Sequence, residues 1–234
     1  MNKLFLFLLL LPFAAGAQIQ AAKIFSDHMV LQRDQPVHIW GKASPGKQII
    51  VSFSGLSTSA IVNADSSWSV YFSKQKANTH PQSIRMECDD ETLEFKNILI
   101  GDVWLCSGQS NMEWPMEREM HWKEEKYHAD QPLIRFTNPP PAGRYVYGVP
   151  YPDSLNRRLT KDRFYLWDGW NICDSQTVKS MSAVAYYFAK RMVSSENIPI
   201  GLINLSIGGA PIETFISREA LESSKQFSAK VKGN

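Results

Sequence analysis

Ser110 lies in a small-residue turn directly after an apolar run, which is a placement that suits a nucleophile. Residues 103–106 show no polar alternation and predict a buried parallel strand. Ser107 and Gly108 then supply a tight turn. Open α/β sheets bind their ligands just beyond the carboxyl ends of parallel strands, and the helix expected next points backbone N–H groups at the same place. Ser110 is therefore predicted to face a position that can hold an oxyanion.

A second turn of similar composition follows another apolar run, residues 199–205, which predicts a third parallel strand. Residues 206–211 contain Gly208 and Gly209, and glycines let backbone amides approach a negative oxygen closely. A helix is expected to begin near residue 212 and to reinforce the positive field there. A pair of glycines by itself is a weak indication of an anion-binding turn.

The block around Ser110 resembles the first block of the SGNH hydrolases, in the version found in sialate O-acetylesterases. A lone Gly-x-Ser would indicate an ordinary turn serine, but this block, residues 102–115, favours the nucleophile. The nucleophile elbow of α/β-hydrolases does not fit, because it requires a second glycine where this chain has Met112. The further segments that resemble the same family are residues 25–33, 37–41, 182–188 and 200–213.

The resemblance implies hydrolysis of acetyl esters on sugars, with sialic acid O-acetyl groups, such as the 9-O-acetyl group, as the expected substrate. Ser110 would attack the ester carbonyl, and a histidine oriented by an aspartate would take its proton. The oxyanion would be held by the Ser110 N–H, by the amide of either Gly208 or Gly209, and by a side-chain amide. Gln109 and Asn111 flank the serine as oxyanion or substrate-binding candidates. The resemblance implies no metal and no organic cofactor.

The chain departs from the family pattern in its histidines. The resemblance places an Asp-x-x-His pair after the glycine block, whereas this sequence has no histidine after His128 and runs to Asn234. His121 and His128 match the family base poorly, since Asp130 follows His128 rather than preceding it. Loss of a triad histidine removes about six orders of magnitude of kcat. The sequence therefore predicts the amino-terminal part of an esterase, nearly inactive alone.

The predicted fold class is α/β, with a small β-sandwich at 23–97 followed by an incomplete flavodoxin-like (SGNH) three-layer α/β domain at 98–234, apparently truncated. Short extended runs split by turn residues favour the sandwich, and no flexible linker separates the two parts. With only three parallel strands, the sheet is expected to expose an apolar edge. The runs interpreted as sandwich strands are 37–40, 48–53, 59–62, 68–72, 83–87 and 93–95.

Other elements must position the two turns. Residues 133–137 predict a further strand, and a helix is predicted with Ser180 or Ser182 as N-cap. Trp40 and Trp68 are interpreted as core residues rather than sugar platforms. The aromatic segment 142–171 is either a stacking surface for a sugar or ordinary loop packing. The apolar stripe predicted for the helix consists of Met181, Val184, Ala185, Phe188, Met192 and Val193.

Composition limits the classes of function and partner. The formal net charge of +2, with acids and bases interspersed, argues against nucleic acid and membrane surfaces as partners and leaves the acetylated sugar. Lys3, the apolar stretch 4–15 and the small residues 15–17 predict a signal peptide at 1–17, hence export to the periplasm or the extracellular space. No later stretch is long enough to span a membrane. The alternative to an esterase is a non-catalytic carbohydrate-binding or remnant protein.

The three cysteines, Cys88, Cys106 and Cys173, fit no zinc-binding spacing. Cys106 lies in the predicted buried strand, where a free thiol behaves as a small hydrophobic group. A disulfide between Cys88 and Cys173 stays open at this point.

Overall fold

The structure, a computed structural model, describes residues 18–143, 150–160 and 162–232. The predicted signal peptide at 1–17 lies outside the described residues, as do Tyr145 and Tyr147 of the aromatic segment.

The described residues form eleven strands and six α-helices. The strands are β1 (Gln20–Ala21), β2 (Val30–Gln32), β3 (Val37–Lys42), β4 (Gln48–Phe53), β5 (Leu56–Ile61), β6 (Ser67–Phe72), β7 (Asn78–Cys88), β8 (Glu91–Cys106), β9 (Gln131–Thr137), β10 (Asn171–Cys173) and β11 (Ile200–Asn204). The helices are α1 (Ser110–Glu113), α2 (Trp122–Glu125), α3 (Asp153–Asn156), α4 (Ala183–Glu196), α5 (Arg218–Ser223) and α6 (Ser228–Lys232). Each run interpreted as a sandwich strand lies in or overlaps a strand of the structure.

The first part of the chain folds as two facing β-layers around an apolar core. One layer is the three-stranded sheet β1-β3-β6, and the other contains β5, β4 and β7. Alternate residues of β4 and β6 are buried, because a strand sends successive side chains to opposite faces. Phe53 and Phe72 meet edge to face between the layers at 5.7 Å, and Trp68 is buried in the same core, as predicted.

Trp40 is not a core residue, so that interpretation is wrong. Val37 and Ile39 are the buried positions of β3, and the strand therefore turns His38 and Trp40 outward. Trp40 remains 39% exposed and packs edge-on against Phe25 at 4.6 Å. The outer face of the small sheet consequently carries an aromatic surface.

The long strand β8 belongs to both parts of the molecule. Its first half pairs antiparallel with β7, and its second half pairs parallel with β11. The resulting eight-stranded sheet has the order β10-β9-β11-β8-β7-β4-β5, and its eighth strand, β2, pairs in parallel with the middle of β8. The predicted boundary between residues 97 and 98 falls inside this strand, and the division into two domains stays a prediction.

The parallel strands β8, β11 and β9 form the sheet under the predicted serine site. Leu202 of β11 aligns with Trp104 of β8 and with Phe136 of β9, and α4 packs against β9 and β11. The predicted α/β class is confirmed, and the structure resembles a known fold of this class described below. The adjacent parallel arrangement of β8 and β11 was also expected from the sequence.

Helix α4 begins where the sequence predicted, with the Ser182 hydroxyl accepting from the Ala185 N–H at 3.2 Å. Its predicted apolar stripe is partly wrong, because Val184 is 51% exposed and Phe188 38% exposed. The buried face of the helix consists instead of small residues and one ring, namely Ala183, Ala185, Tyr186 and Ala189.

The end of β8 exposes apolar side chains. Trp104 is 43% exposed and Leu105 64% exposed, with Phe188 packed edge-on against Trp104 at 4.9 Å. Within the described residues, β11 is the one strand that pairs with residues 102–106. An apolar strand edge was expected from the sequence.

All three cysteines are buried and free, so Cys88 and Cys173 are not paired. Among the described ranges, no group of histidine, cysteine or carboxylate side chains is arranged to hold a metal ion. None of the helices that the structure describes has the length and apolar character needed to cross a membrane.

Candidate active site

Ser110 stands at the first position of α1, just beyond the carboxyl end of β8. The chain leaves the strand at Cys106 and turns at Gly108, whose φ of +145° favours glycine. The Ser110 residue is exposed, as a nucleophile must be. At the first position of a helix its N–H has no intrahelical acceptor. We call residues 107–110 the serine corner.

The chain after β11 forms a second corner, residues 206–210, which we call the glycine corner. Two main-chain hydrogen bonds join the approach to each corner, from Leu205 N–H to the Cys106 carbonyl at 2.8 Å and from Ile207 N–H to the Gly108 carbonyl at 2.9 Å. The parallel pairing of β8 and β11 brings the strand ends together, because parallel strands end at the same edge of a sheet. The two corners lie side by side, as the sequence predicted.

A side chain joins the same two corners. The Gln109 amide nitrogen donates a hydrogen bond to the Ala210 carbonyl. Since Nε2 carries the only N–H donors of this side chain, Gln109 is engaged in positioning the corners.

Of the two candidate glycines, Gly208 is the one next to the serine. A Cβ built on Gly208 would lie 3.7 Å from Ser110 Oγ and would collide with a carboxylate oxygen of Glu113. The Gly208 N–H donates to that oxygen, Glu113 Oε2, at 3.0 Å. Gly209 has a φ of +81°, and a Cβ built there would meet open space. The close approach of backbone to nucleophile therefore occurs at Gly208.

Two cavities meet at Ser110. The larger, of about 630 Å³, is lined on one side by Glu113, Trp114 and Arg118 and on the other by residues 138–141. The smaller, of about 430 Å³, is lined by Gln109, Ser110, Asn111, Met112 and Val184. Asn111 thus borders the smaller cavity and is not among the residues that line the larger one.

Three polar residues of the larger cavity were missed in the sequence. The Asn204 amide nitrogen donates to Asn138 Oδ1 at 2.8 Å, and the Ser206 hydroxyl donates to Asn204 Oδ1 at 2.7 Å. Asn138 in turn donates to the Ser180 carbonyl at 2.9 Å. Asn138 follows β9 and Asn204 ends β11, so their positions at carboxyl ends of parallel strands were the signal available.

The aromatic segment contributes mainly to packing where it is described. Trp170 is buried, and its indole N–H donates to the Ile24 carbonyl at 2.7 Å. The Tyr165 hydroxyl donates to the Leu205 carbonyl at 3.0 Å beside the glycine corner, and burial raises the pKa of this phenol. The ring closest to the role of a sugar platform is Trp114, which is exposed in the wall of the larger cavity.

Cys106 directly precedes the serine corner but is a poor alternative to Ser110 as the candidate nucleophile. Burial raises the pKa of the Cys106 thiol to about 11, so this thiol is neutral at neutral pH and unreactive. All five histidines are described, and none lines either cavity at Ser110. His28 bonds to Asn97 at 2.9 Å in the turn before β2. His121 and His128 flank α2.

Most of the chain is similar to known esterases. No protein-family model matches the chain. The chain is 27% identical over 222 residues to the sialate O-acetylesterase of Pongo abelii and 26% identical over 227 residues to that of Rattus norvegicus. These matches cover 89% of this chain but 41% and 39% of those relatives, so the chain spans about two-fifths of the length of the curated relatives it matches.

The fold is similar to that of a solved structure as well. A crystal structure of a carbohydrate acetylesterase from Xanthomonas citri superposes with a TM-score of 0.75 at 29% identity, covering 88% of this chain and 44% of that one. The resemblance of the sequence to the sialate O-acetylesterases is thus confirmed by relatives found through sequence and by a relative found through fold.

Proposed function

We propose that this chain takes part in the hydrolysis of acetyl esters on carbohydrates, with Ser110 as the nucleophile. The observation that carries the proposal is the 3.7 Å approach of the Gly208 Cβ position to Ser110 Oγ, at the mouth of a cavity of about 630 Å³. That approach brings the Gly208 backbone close enough to Ser110 for us to expect its amide to donate to the charge of a tetrahedral intermediate. The esterase and acetylesterase names of the relatives support the same class of reaction.

In the proposed reaction Ser110 Oγ attacks the acetyl carbonyl, and its proton passes to a general base. The oxyanion accepts from the Ser110 N–H and the Gly208 N–H. The sugar hydroxyl leaves with a proton, and water then releases acetate from the acetyl-serine. Gln109 acts as a positioning residue through Ala210. Asn111 binds the part of the substrate that enters the smaller cavity.

The proposed substrate is an acetylated sialic acid, with the 9-O-acetyl group as the scissile ester. Two residues of the larger cavity support a sugar of this kind. Trp114 offers an exposed ring to the apolar face of a pyranose, and the Arg118 guanidinium offers a partner for a sugar carboxylate. Export to the periplasm or the extracellular space is part of the same proposal, because sialylated glycans are met there.

We expect the isolated chain to be a poor catalyst. None of its five histidines lines a cavity at Ser110, and a serine hydrolase without its histidine loses about six orders of magnitude of kcat. The oxyanion hole and substrate binding would retain roughly 10³- to 10⁴-fold over water. The measurable sign of the proposed chemistry in this chain is therefore slow acetate release and an acetyl group on Ser110.

The experiment is acetate release from 9-O-acetylated sialic acid and from an acetylated neutral sugar, with mass spectrometry of the serine-containing peptide. Ser110→Ala is expected to abolish both the acetyl adduct and the release above background. Ser107→Ala removes an exposed serine of the same turn and serves as the matched control. An unchanged rate in Ser110→Ala would contradict the nucleophile. Arg118→Gln is expected to slow acetate release from 9-O-acetylated sialic acid and to leave acetate release from the neutral sugar unchanged.

The second candidate is non-catalytic carbohydrate binding. It is favoured by the outward aromatic face of the small sheet, where the His38 and Tyr71 rings stack at 4.2 Å and Trp40 lies beside them at 4.7 Å from His38. On this alternative, Trp40→Ala weakens glycan binding in calorimetry while Ser110→Ala leaves it intact. The esterase proposal expects the affinity for an acetylated sugar to respond to substitutions around Ser110 instead.

A further inference from the structure

Glu113 ends α1 three residues after Ser110, and its carboxylate turns back onto the glycine corner. Its Oε2 accepts the Gly208 N–H at 3.0 Å. The Cβ position of Gly208 lies 3.7 Å from Ser110 Oγ and within collision distance of Glu113 Oε2. The Ser110 hydroxyl and a carboxylate oxygen of the same chain therefore both lie beside Gly208, and the carboxylate oxygen accepts its N–H.

An acyl oxygen that enters the oxyanion hole has to accept a hydrogen bond from this amide. A main-chain N–H carries one proton, and a charged acceptor holds it more strongly than a neutral ester carbonyl does. The substrate consequently competes with Glu113 for Gly208. A carboxylate in this position has the chemistry of acetate, the product of the proposed reaction.

We propose that Glu113 is an internal ligand of the oxyanion hole, occupying the acyl-oxygen position at rest and leaving it when an acyl group or acetate binds. The inference rests on the proposed function, since it requires Gly208 to be the oxyanion donor. Glu113 is thereby a positioning residue that sets the affinity of the site for the acyl group.

The larger cavity offers a destination for the displaced side chain. Glu113 and Arg118 both line it, and the guanidinium of Arg118 attracts a carboxylate that has lost its amide partner. Glu117 and Asp168 line the same cavity. Of these three carboxylates, Glu113 is the one to which the Gly208 N–H donates within the described residues.

Acetate titrated into the full chain tests the proposal, with the Gly208 amide followed by ¹H–¹⁵N NMR. Glu113→Ala removes the competitor and is expected to lower the Kd of acetate by about tenfold or more, as expected for a hydrogen bond to a charged group. Glu117→Ala removes the same charge without freeing the amide, and we expect a change of about twofold or less. Glu113→Gln keeps an oxygen acceptor without the charge and should fall between them.

The spectrum of the free protein provides the second readout. In Glu113→Ala the Gly208 amide signal should move upfield, while the signals of the sandwich stay in place and report an intact fold. If Gly208 moves but acetate binds Glu113→Ala and the unsubstituted chain equally, the carboxylate is a structural cap and the inference is overturned. It is also overturned if acetate perturbs Gly208 in neither protein.

The failure of this inference can be distinguished from the failure of the proposed function. If Ser110→Ala abolishes the acetyl adduct and Glu113→Ala leaves acetate affinity unchanged, only the role of Glu113 is lost. If Ser110→Ala leaves the adduct and the acetate release unchanged, the esterase proposal is lost, whatever Glu113 does.

Discussion

The side-chain amide of Gln109 donates to the main-chain carbonyl of Ala210, so a single side chain ties the serine corner to the glycine corner. Gln109→Ala should lower the free energy of unfolding by about 1 kcal/mol, the net value of a typical hydrogen bond. Urea unfolding measures this loss. Asn111→Ala changes an exposed amide two residues away and should cost about 0.5 kcal/mol or less. Equal losses in the two variants would show that the hydrogen bond from Gln109 to Ala210 does not contribute to stability.

The hydrogen-bonded residues Asn138, Asn204 and Ser206 of the larger cavity should contribute more to stability than Gln109 does. Asn204 is 5% exposed and bonds to both Asn138 and Ser206, so Asn204→Ala leaves buried partners unsatisfied. We expect a loss of about 2 kcal/mol in urea unfolding. Asn63→Ala removes an exposed amide that bonds to Ser67 in a turn and should cost well under half as much.

A double-mutant cycle apportions that loss. Asn204→Ala and Ser206→Ala remove the two ends of one hydrogen bond of 2.7 Å. The double variant should therefore lose about 1 kcal/mol less free energy of unfolding than the sum of the two single losses. Additive losses would show that Asn204 and Ser206 stabilise the fold independently of each other.

The stability of the chain should fall in acid partly through Glu125. Burial alone would raise the pKa of this carboxyl, but hydrogen bonds from Lys190 and from the Tyr186 hydroxyl, the latter at 2.6 Å, lower the pKa below its ordinary value. The unfolded chain then binds the proton more readily than the folded chain does. The stabilisation is complete above the ordinary carboxyl pKa of about 4.3 and is lost as pH falls through the lower folded value.

Urea midpoints measured across this acid range check the prediction. Glu125→Gln should be less stable than the unsubstituted chain at neutral pH and should lose less stability on acidification. Glu222→Gln breaks an exposed ion pair with Arg218 and should leave the acid slope unchanged. Parallel acid slopes for the unsubstituted chain and Glu125→Gln would contradict the role of Glu125.

The three thiols should be unreactive in the folded chain. Burial raises the pKa of Cys106 to about 11 and that of Cys173 to about 12, and it also raises the pKa of Cys88. Since the thiolate is the reactive form, we expect almost no modification by a thiol reagent at about pH 8. Three thiols should react after denaturation without reductant. Fewer than three would indicate a disulfide that the fold does not contain.

The apolar end of β8 should promote self-association. Leu105 is 64% exposed in residues 102–106 of β8, where one edge of the strand pairs with β11 and the other pairs with no described strand, an arrangement that favours edge-to-edge contacts. Leu105→Lys should lower the apparent molecular mass in light scattering at high protein concentration. Ile61→Lys changes an equally exposed residue at the far edge of the sandwich and serves as the comparison.

The sequence predicted most of the strands because their burial alternates with period two. It failed in part for α4, where Val184 and Phe188 were wrongly assigned to the buried stripe. The structure turns Val184 outward and buries Ala185, Tyr186 and Ala189, because small residues let a helix approach a sheet closely. Packing against a specific surface decided the buried face, and periodicity could not reveal that surface.

The positions of the two corners were predicted from the sequence, because turn residues after apolar runs mark the ends of parallel strands. The choice between Gly208 and Gly209 was left open there, and the roles of Ser110 and the glycines stay predictions. Asn204 and Asn138 were missed because single asparagines carry no local pattern and acquire a role only when β9 and β11 become neighbours. The contact between Glu113 and Gly208 likewise depends on residues 95 positions apart in the chain.

Strand β8 has a consequence for attempts to recombine this protein with others. Shuffling experiments exchange modules at the boundary between them. Here one continuous strand, Glu91–Cys106, begins in the sandwich and ends just before the serine corner. A chimera cut anywhere in that stretch would interrupt pairing with β7 or with β11. The segment that can be transplanted intact therefore has to include both the sandwich and the parallel strands that pair with β8.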